Sequence, residues 1–249
     1  TDIFRHIMGK ATDEFTGGRQ MPMHLGSKKL RMPTASSPTG SQYLQAVGAA
    51  LSCVYRGTDE VAYVGGGEGS TSEGEFFEAI NWAAREKLPT IFCIQNNRFA
   101  ISVPIEQQTA GASVYKVVAE FEGLNRFHID GTDFLESYAT AKEAVRLARN
   151  GEGPSFIYAD VVRLRSHSAS DSQDKYRSKE AIDKDTLKDP IAKFEKELVA
   201  KGILTDEEIA KIRKELNDLV IKSAEETYAE PLPDPATIED NLFCSAEEQ

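Results

Sequence analysis

The chain has few of the residues that build disulfide scaffolds and none of the runs that build membrane spans. Cysteine occurs three times in 249 residues, at Cys53, Cys93 and Cys244. An odd count in no metal-ligand spacing excludes a disulfide framework and a zinc cage, and the first two lie in apolar runs, so a reducing compartment is expected. No apolar run reaches the roughly 18 residues of a membrane span. Basic residues are outnumbered, 29 against 40, and the net charge of −11 argues against nucleic acid or an anionic membrane as partner. What remains, 40% apolar residues, suffices for one α/β domain with a full core. That domain is expected over residues 1–230, with 231–249 a tail or linker beginning at Pro231-Leu-Pro-Asp-Pro235.

The stretch from Val64 to Asn97 organises the chain. An apolar strand at 60–64 runs into Gly65-Gly-Gly-Glu-Gly69, then into an amphipathic helix at 73–87 with Phe76, Phe77, Ile80, Ala83 and Ala84 at helical spacing, then into a second strand at 90–95. A strand-helix-strand unit opens both strand ends on one edge of a parallel sheet, where ligands bind. Glu68 and Asn97 stand just past those ends, 29 residues apart, and offer two hard oxygen donors on one rim. Glycines flanking Glu68 let backbone approach a phosphate, and a diphosphate so held needs a divalent counter-ion.

Two other glycine-loop chemistries fit poorly. The nucleotide-hydrolase loop needs Lys-Ser or Lys-Thr after its last glycine, whereas Gly74 is followed by Glu75 and Phe76. The dinucleotide fingerprint needs a third glycine and an acidic residue ending the next strand, where this chain has Ser70 and Gln95.

Gly67-Glu68-Gly69 followed by Asn96-Asn97 and Arg-Phe-Ala-Ile-Ser resembles the thiamine diphosphate motif. The chain is similar to the α subunits of the decarboxylating first component of 2-oxo acid dehydrogenases, and Glu68 in place of the motif's aspartate favours the branched-chain type over pyruvate. The resemblance implies the thiamine diphosphate-binding fold, α/β and doubly wound on a mainly parallel sheet, with a helical C-terminal part. It implies Mg²⁺ on Glu68, Asn97 and the Phe99 carbonyl. Cofactor contacts are implied at Ser37, Thr39, Gly67, Glu68, Gly69, Ser70, Asn97, Phe99, Ile101 and His167. His167, in the run His167-Ser-Ala-Ser-Asp171, is assigned the catalytic role, next to Ser168, the kind of position that regulatory kinases modify in relatives. Arg98, where glycine is frequent, and Gln95, where relatives place an arginine, depart from the pattern.

Partners implied are a β subunit in an α2β2 assembly, a lipoyl-bearing acyltransferase and a small 2-oxo acid, in a bacterial cytoplasm or a mitochondrial matrix. The α subunits carry a further N-terminal segment, so a missing piece before Thr1 is expected. A pyruvate dehydrogenase α subunit, and a catalytically silent assembly subunit, stand as alternatives. Elsewhere the patterns predict helices at 41–55, 113–120 and 134–149, strands at 126–130 and 155–162, a proline-started helix after Asp189, and one from the Thr205-Asp-Glu-Glu208 capping box to about 226. His24 reads as a loop histidine and His128 as a structural one.

Overall fold

The computed structural model describes residues 1–240, and its contacts group into two compact units, residues 1–37 with 204 onward, and residues 38–203. The Ala11 N–H donates to the Pro231 carbonyl at 3.0 Å and Arg19 to the Thr237 carbonyl at 3.1 Å, so residues 231–240 pack with the N-terminal segment. The rest of the expected tail, Cys244 included, lies outside the described residues.

The first unit joins helix α1 (Asp2–Ile7) to the last helix, α9 (Asp206–Tyr228), which opens with the expected capping box at Thr205 and Glu208. Arg5 forks onto the Glu230 carboxylate at 2.7 to 3.0 Å, and Lys10 donates to the carbonyls of Tyr228 and Glu230, satisfying groups the end of α9 leaves open. Buried His6 meets Asp13 at 3.0 Å. Burial pushes the Asp13 carboxyl up, but hydrogen bonds from Thr16, His6 and the amides of Phe15 and Gly18 outweigh it and hold it below the ordinary value.

In the second unit four parallel strands form one sheet: β1 (Ala62–Gly67), β2 (Thr90–Asn96), β5 (Asn125–Asp130) and β6 (Ser155–Asp160), in the order β1-β2-β6-β5. A small antiparallel hairpin, β3 (Phe99–Ala100) with β4 (Val103–Pro104), follows β2. Strand β1 runs three residues further than expected, through the glycines, because parallel pairing gives each a partner: Gly65 with Cys93, Gly66 with Ile94, Gly67 with Gln95. Glycine has no side chain to announce a strand, so the pattern stopped at Val64.

Helices cover both faces. On one, α2 (Ser41–Tyr55), α3 (Gly74–Glu86) and the short α5 (Val114–Val117) pack Tyr43, Val47, Phe76, Ile80 and Val114 against Phe92, Ile94, Phe156 and Tyr158. Each such side chain, once fully buried, contributes about 1.5–3 kcal/mol. On the other, α6 (Phe134–Arg149), capped by Asp133, lays Ala144 against Ile91, Ile129 and Ile157. Helix α2 is apolar on most sides but not buried on all of them: Val54 and Tyr55 are exposed. Short helices α4 (Ile105–Gln108) and α7 (Lys179–Thr186), then α8 (Pro190–Ala200), complete the unit. All four strands end on one edge, where β1 delivers Glu68, β2 Asn97 and β6 the loop carrying His167.

Candidate active site

Glu68 is the first residue past β1, in a 3-10 turn (Glu68–Ser72), and its side chain is 0% exposed. One carboxylate oxygen accepts the Asn97 N–H at 3.1 Å; the other, also buried, has no hydrogen-bond partner. Burial raises the Glu68 carboxyl above its ordinary value, and the amides of Asn97 and Phe99 and the charge of Arg163 only partly oppose this. A buried anionic oxygen without a donor is costly unless something positive meets it.

The Asn pair divides its work. Asn97 Oδ1 accepts the Phe99 N–H at 3.0 Å, turning the chain so that Glu68, Asn97 and Phe99 stand together. Opposite Phe99 in the hairpin is Pro104, which has no N–H to offer the Phe99 carbonyl. Asn96 Oδ1 accepts the Arg98 N–H at 3.1 Å. Arg98 takes the left-handed conformation, φ +70°, that glycine adopts freely. The departure from glycine therefore leaves the turn in place and adds strain. Ile101, a β-branched residue at φ +56° and 55% exposed, is more strained still.

The glycines are not equivalent. A methyl on Gly66 would stand 2.0 Å from the Tyr43 hydroxyl, and one on Gly69 2.9 Å from the Ala100 methyl, so both are required by neighbouring protein atoms. On Gly67 the nearest neighbour is 3.9 Å away, the carbonyl of Gln95. Ser70 is turned inward, its hydroxyl donating to the Gly67 carbonyl at 2.7 Å and lying 2.6 Å from the Tyr43 hydroxyl. Gln108 Nε2 reaches the carbonyls of Glu68 and Gly69 at 3.1 and 3.2 Å, bracing the turn from outside.

The remaining predicted residues are spread more widely. Thr39 precedes Gly40, whose φ of +90° starts α2. Ser37 belongs to the first unit, where its hydroxyl lies 2.6 Å from His24 Nε2. His167 is exposed, and its backbone N–H donates to Asp171 at 2.8 Å. His128 meets Asp160 at 2.8 Å, as a structural histidine should. Among the described residues no group of three His, Cys, Asp or Glu side chains forms a self-sufficient metal cage.

Sequence reading missed Arg163. Its guanidinium lies over the rings of Phe99 and Tyr176 at 5.4 and 5.5 Å and donates to the Ile101 carbonyl and the Tyr176 hydroxyl. Arg177 covers Phe99 as well, at 5.3 Å. An arginine just past a strand end was the one local signal.

The 2-oxoisovalerate dehydrogenase subunit alpha of Bacillus subtilis (strain 168) is 37% identical over 98% of this chain and 73% of its own length. The pyruvate dehydrogenase E1 component subunit alpha of the same organism is 40% identical over 77% of this chain and 52% of its own. The 3-methyl-2-oxobutanoate dehydrogenase subunit alpha of Mycobacterium tuberculosis (strain ATCC 25618 / H37Rv) is 38% identical over 74% and 52%. The chain thus spans about half the length of two of these relatives. The model of the family described as "Dehydrogenase E1 component" matches residues 1–236, nearly the whole chain and every rim residue described above, and the chain belongs to that family.

Proposed function

We propose that the chain is the α subunit of a thiamine diphosphate-dependent 2-oxo acid dehydrogenase that decarboxylates a branched-chain 2-oxo acid and passes the acyl group to lipoyl. One observation carries the reading: a fully buried carboxylate at the sheet's carboxyl edge keeps one oxygen without a partner, beside Asn97.

The residues present fit Mg²⁺ with a diphosphate. Mg²⁺ takes about six oxygens and uses few carboxylates when phosphates complete its shell. The free oxygen of Glu68, Asn97 Oδ1 and the Phe99 carbonyl are three hard donors, of which one is a carboxylate. Gly67 leaves its backbone open for a phosphate to approach, with Gly69 and Ser70 shaping the same turn. Ser37 and Thr39 are assigned to the cofactor's ring.

Bound thiamine diphosphate supplies an electron sink for the loss of carbon dioxide. This chain's residues hold and orient it. Glu68, once its charge is met by the cation, fixes the diphosphate end. Ile101 offers an exposed apolar face on a strained turn, suited to prop a bent ligand. His167, exposed on its loop, would hold or move a proton at a ring nitrogen during acyl transfer.

The names of the similar proteins, each a subunit alpha, support a β-subunit partner. An α2β2 assembly and a lipoyl-bearing acyltransferase complete the reading. No described helix is long and apolar enough to cross a membrane. Bacterial and mitochondrial relatives support a bacterial cytoplasm or a mitochondrial matrix.

Co-expression with a β subunit, followed by decarboxylation assays on branched-chain 2-oxo acids and pyruvate, tests the proposal. Mg²⁺-dependent activity preferring the branched-chain acids, lost in Glu68→Ala, is expected. Preference for pyruvate would overturn the substrate assignment, and full activity in Glu68→Ala the site.

A further inference from the structure

A second line of contacts crosses the carboxyl edge away from Glu68. His128 Nε2, on β5, lies 2.8 Å from Asp160 Oδ2, at the end of β6. Asp160 Oδ1 accepts from Asn96 Nδ2, at the end of β2, at 2.7 Å, and Asn96 Oδ1 accepts the Arg98 N–H at 3.1 Å. Three strands in register bring these groups side by side, Asn96 opposite Asp160 and His128 opposite Tyr158. The His128 ring packs beside both Tyr115 and Tyr158, with centroids at 5.2 and 5.3 Å, the two tyrosine rings being 6.2 Å apart.

The direction of the Asn96 amide matters. Its two ends differ only in which donates and which accepts, so an asparagine can serve either way round until its neighbours decide. The Arg98 N–H needs an acceptor. An ionised Asp160 can only accept, so it draws the NH₂ end of Asn96 and leaves the oxygen end for Arg98. Asn96 is 4% exposed and has little recourse to water. Arg98 needs the help: at φ +70° its side chain is crowded against the backbone in a region that glycine alone enters freely.

We infer that Asp160, steadied by His128, is a positioning residue: by fixing which way the Asn96 amide faces, it holds the left-handed turn at Arg98 that sets Asn97 and the Phe99 carbonyl beside Glu68. The importance of that turn to a ligand rests on the function proposed above; the geometry of the relay does not.

The test is amide hydrogen exchange on the full chain without ligand, comparing Asp160→Ala with Asp160→Asn. Alanine removes the acceptor. Asparagine keeps an oxygen but adds a donor, so it no longer dictates which way the Asn96 amide faces. Loss of a hydrogen bond to a charged group at a strained turn predicts about tenfold faster exchange at residues 97–101 in Asp160→Ala. Asp160→Asn, which can pair with Asn96 in either sense, should exchange at a rate between those of Asp160→Ala and wild type, with the amides of β1 unchanged in both. Unchanged exchange at 97–101 in Asp160→Ala overturns the inference, as does exchange in Asp160→Asn as slow as in wild type or an equal rise throughout the sheet. Calorimetry of the α–β assembly with thiamine diphosphate and Mg²⁺ is read separately. If the wild type binds neither, the functional proposal falls, while the exchange data still decide the relay.

Discussion

The guanidinium of Arg163 donates to the carbonyl of Ile101 at 2.7 Å, across 62 residues of chain. Its other arm meets the Tyr176 hydroxyl at 2.5 Å; that hydroxyl donates to Asp171 Oδ2 at 2.6 Å, and the same oxygen accepts the His167 N–H at 2.8 Å. The Tyr176 hydroxyl, with the His167 amide, holds the Asp171 carboxyl below its ordinary value, so it stays anionic and the chain of donors keeps its direction. The turn that presents Ile101 and the loop that carries His167 therefore share one cation.

Arg163→Lys should loosen both at once. A lysine ammonium is a single point of charge on a flexible stem and cannot reproduce a planar fork aimed at two acceptors. Thiamine diphosphate affinity of the α–β assembly should fall about tenfold, the worth of roughly one charge-assisted hydrogen bond. Limited trypsin digestion within 163–177 should accelerate in parallel. Calorimetry and a digestion time course measure the two effects, and movement of one without the other would show that turn and loop are independent.

Glu68→Gln should act in opposite senses on stability and binding. In the ligand-free chain the buried carboxylate is a burden, as its raised pKa shows, and a neutral amide of the same shape can still accept the Asn97 N–H. The melting midpoint of the free chain near pH 8 should rise by roughly 2–4 °C. Binding of Mg²⁺ with thiamine diphosphate should be lost. A variant less stable than wild type, or one that still binds, would contradict the role given to the unpartnered oxygen.

Much of this rim was legible. The placement of Glu68 and Asn97 at neighbouring strand ends follows from hydrophobic periods and a helix between them, and both residues stand where the pattern put them. The turn conformation was not. Arg98 reads as a misfit because glycine is the usual left-handed residue, and nothing local reveals that Asn96 accepts its amide or that Asp160, 64 residues from Asn96, orients Asn96. Arg163 was invisible for the same reason. Its partners include the carbonyl of Ile101, and a backbone acceptor leaves no mark on residue type. The grouping of residues 1–37 with 204 onward was hidden too, because it depends on Arg5 and Lys10 meeting Glu230 and Tyr228.

Neighbouring glycines should separate structure from ligand. Gly66→Ala forces a methyl to within 2.0 Å of the Tyr43 hydroxyl in a close-packed core, an overpacking that costs about 1–3 kcal/mol. Gly67→Ala meets nothing nearer than 3.9 Å, and the backbone there, φ −83° and ψ 163°, suits alanine. Thermal unfolding should therefore show a lowered midpoint for Gly66→Ala and little change for Gly67→Ala. If the phosphate approaches the open face of Gly67, that second variant should bind thiamine diphosphate at least tenfold more weakly despite its intact fold, roughly the loss of one good contact. Equal binding would move the phosphate elsewhere on the turn.

The first unit offers a test by acid. The Arg5 fork and the Thr12 hydroxyl hold the Glu230 carboxyl down at about 2, from an ordinary 4.5. A carboxyl depressed in the folded state binds protons more readily when unfolded, so its contribution is complete above the unfolded value and declines as pH falls toward the folded one. Wild type should therefore exceed Glu230→Gln in stability at neutral pH, and the difference should shrink between pH 4.5 and about 2. Asp13 is also depressed, so the comparison must be the gap between the two denaturation curves, since Asp13 titrates alike in both chains and cancels. A gap that stayed constant down to pH 2 would mean that Arg5 gains nothing from the charge on Glu230, leaving Lys10 and the backbone of α9 to hold the two ends of the chain together.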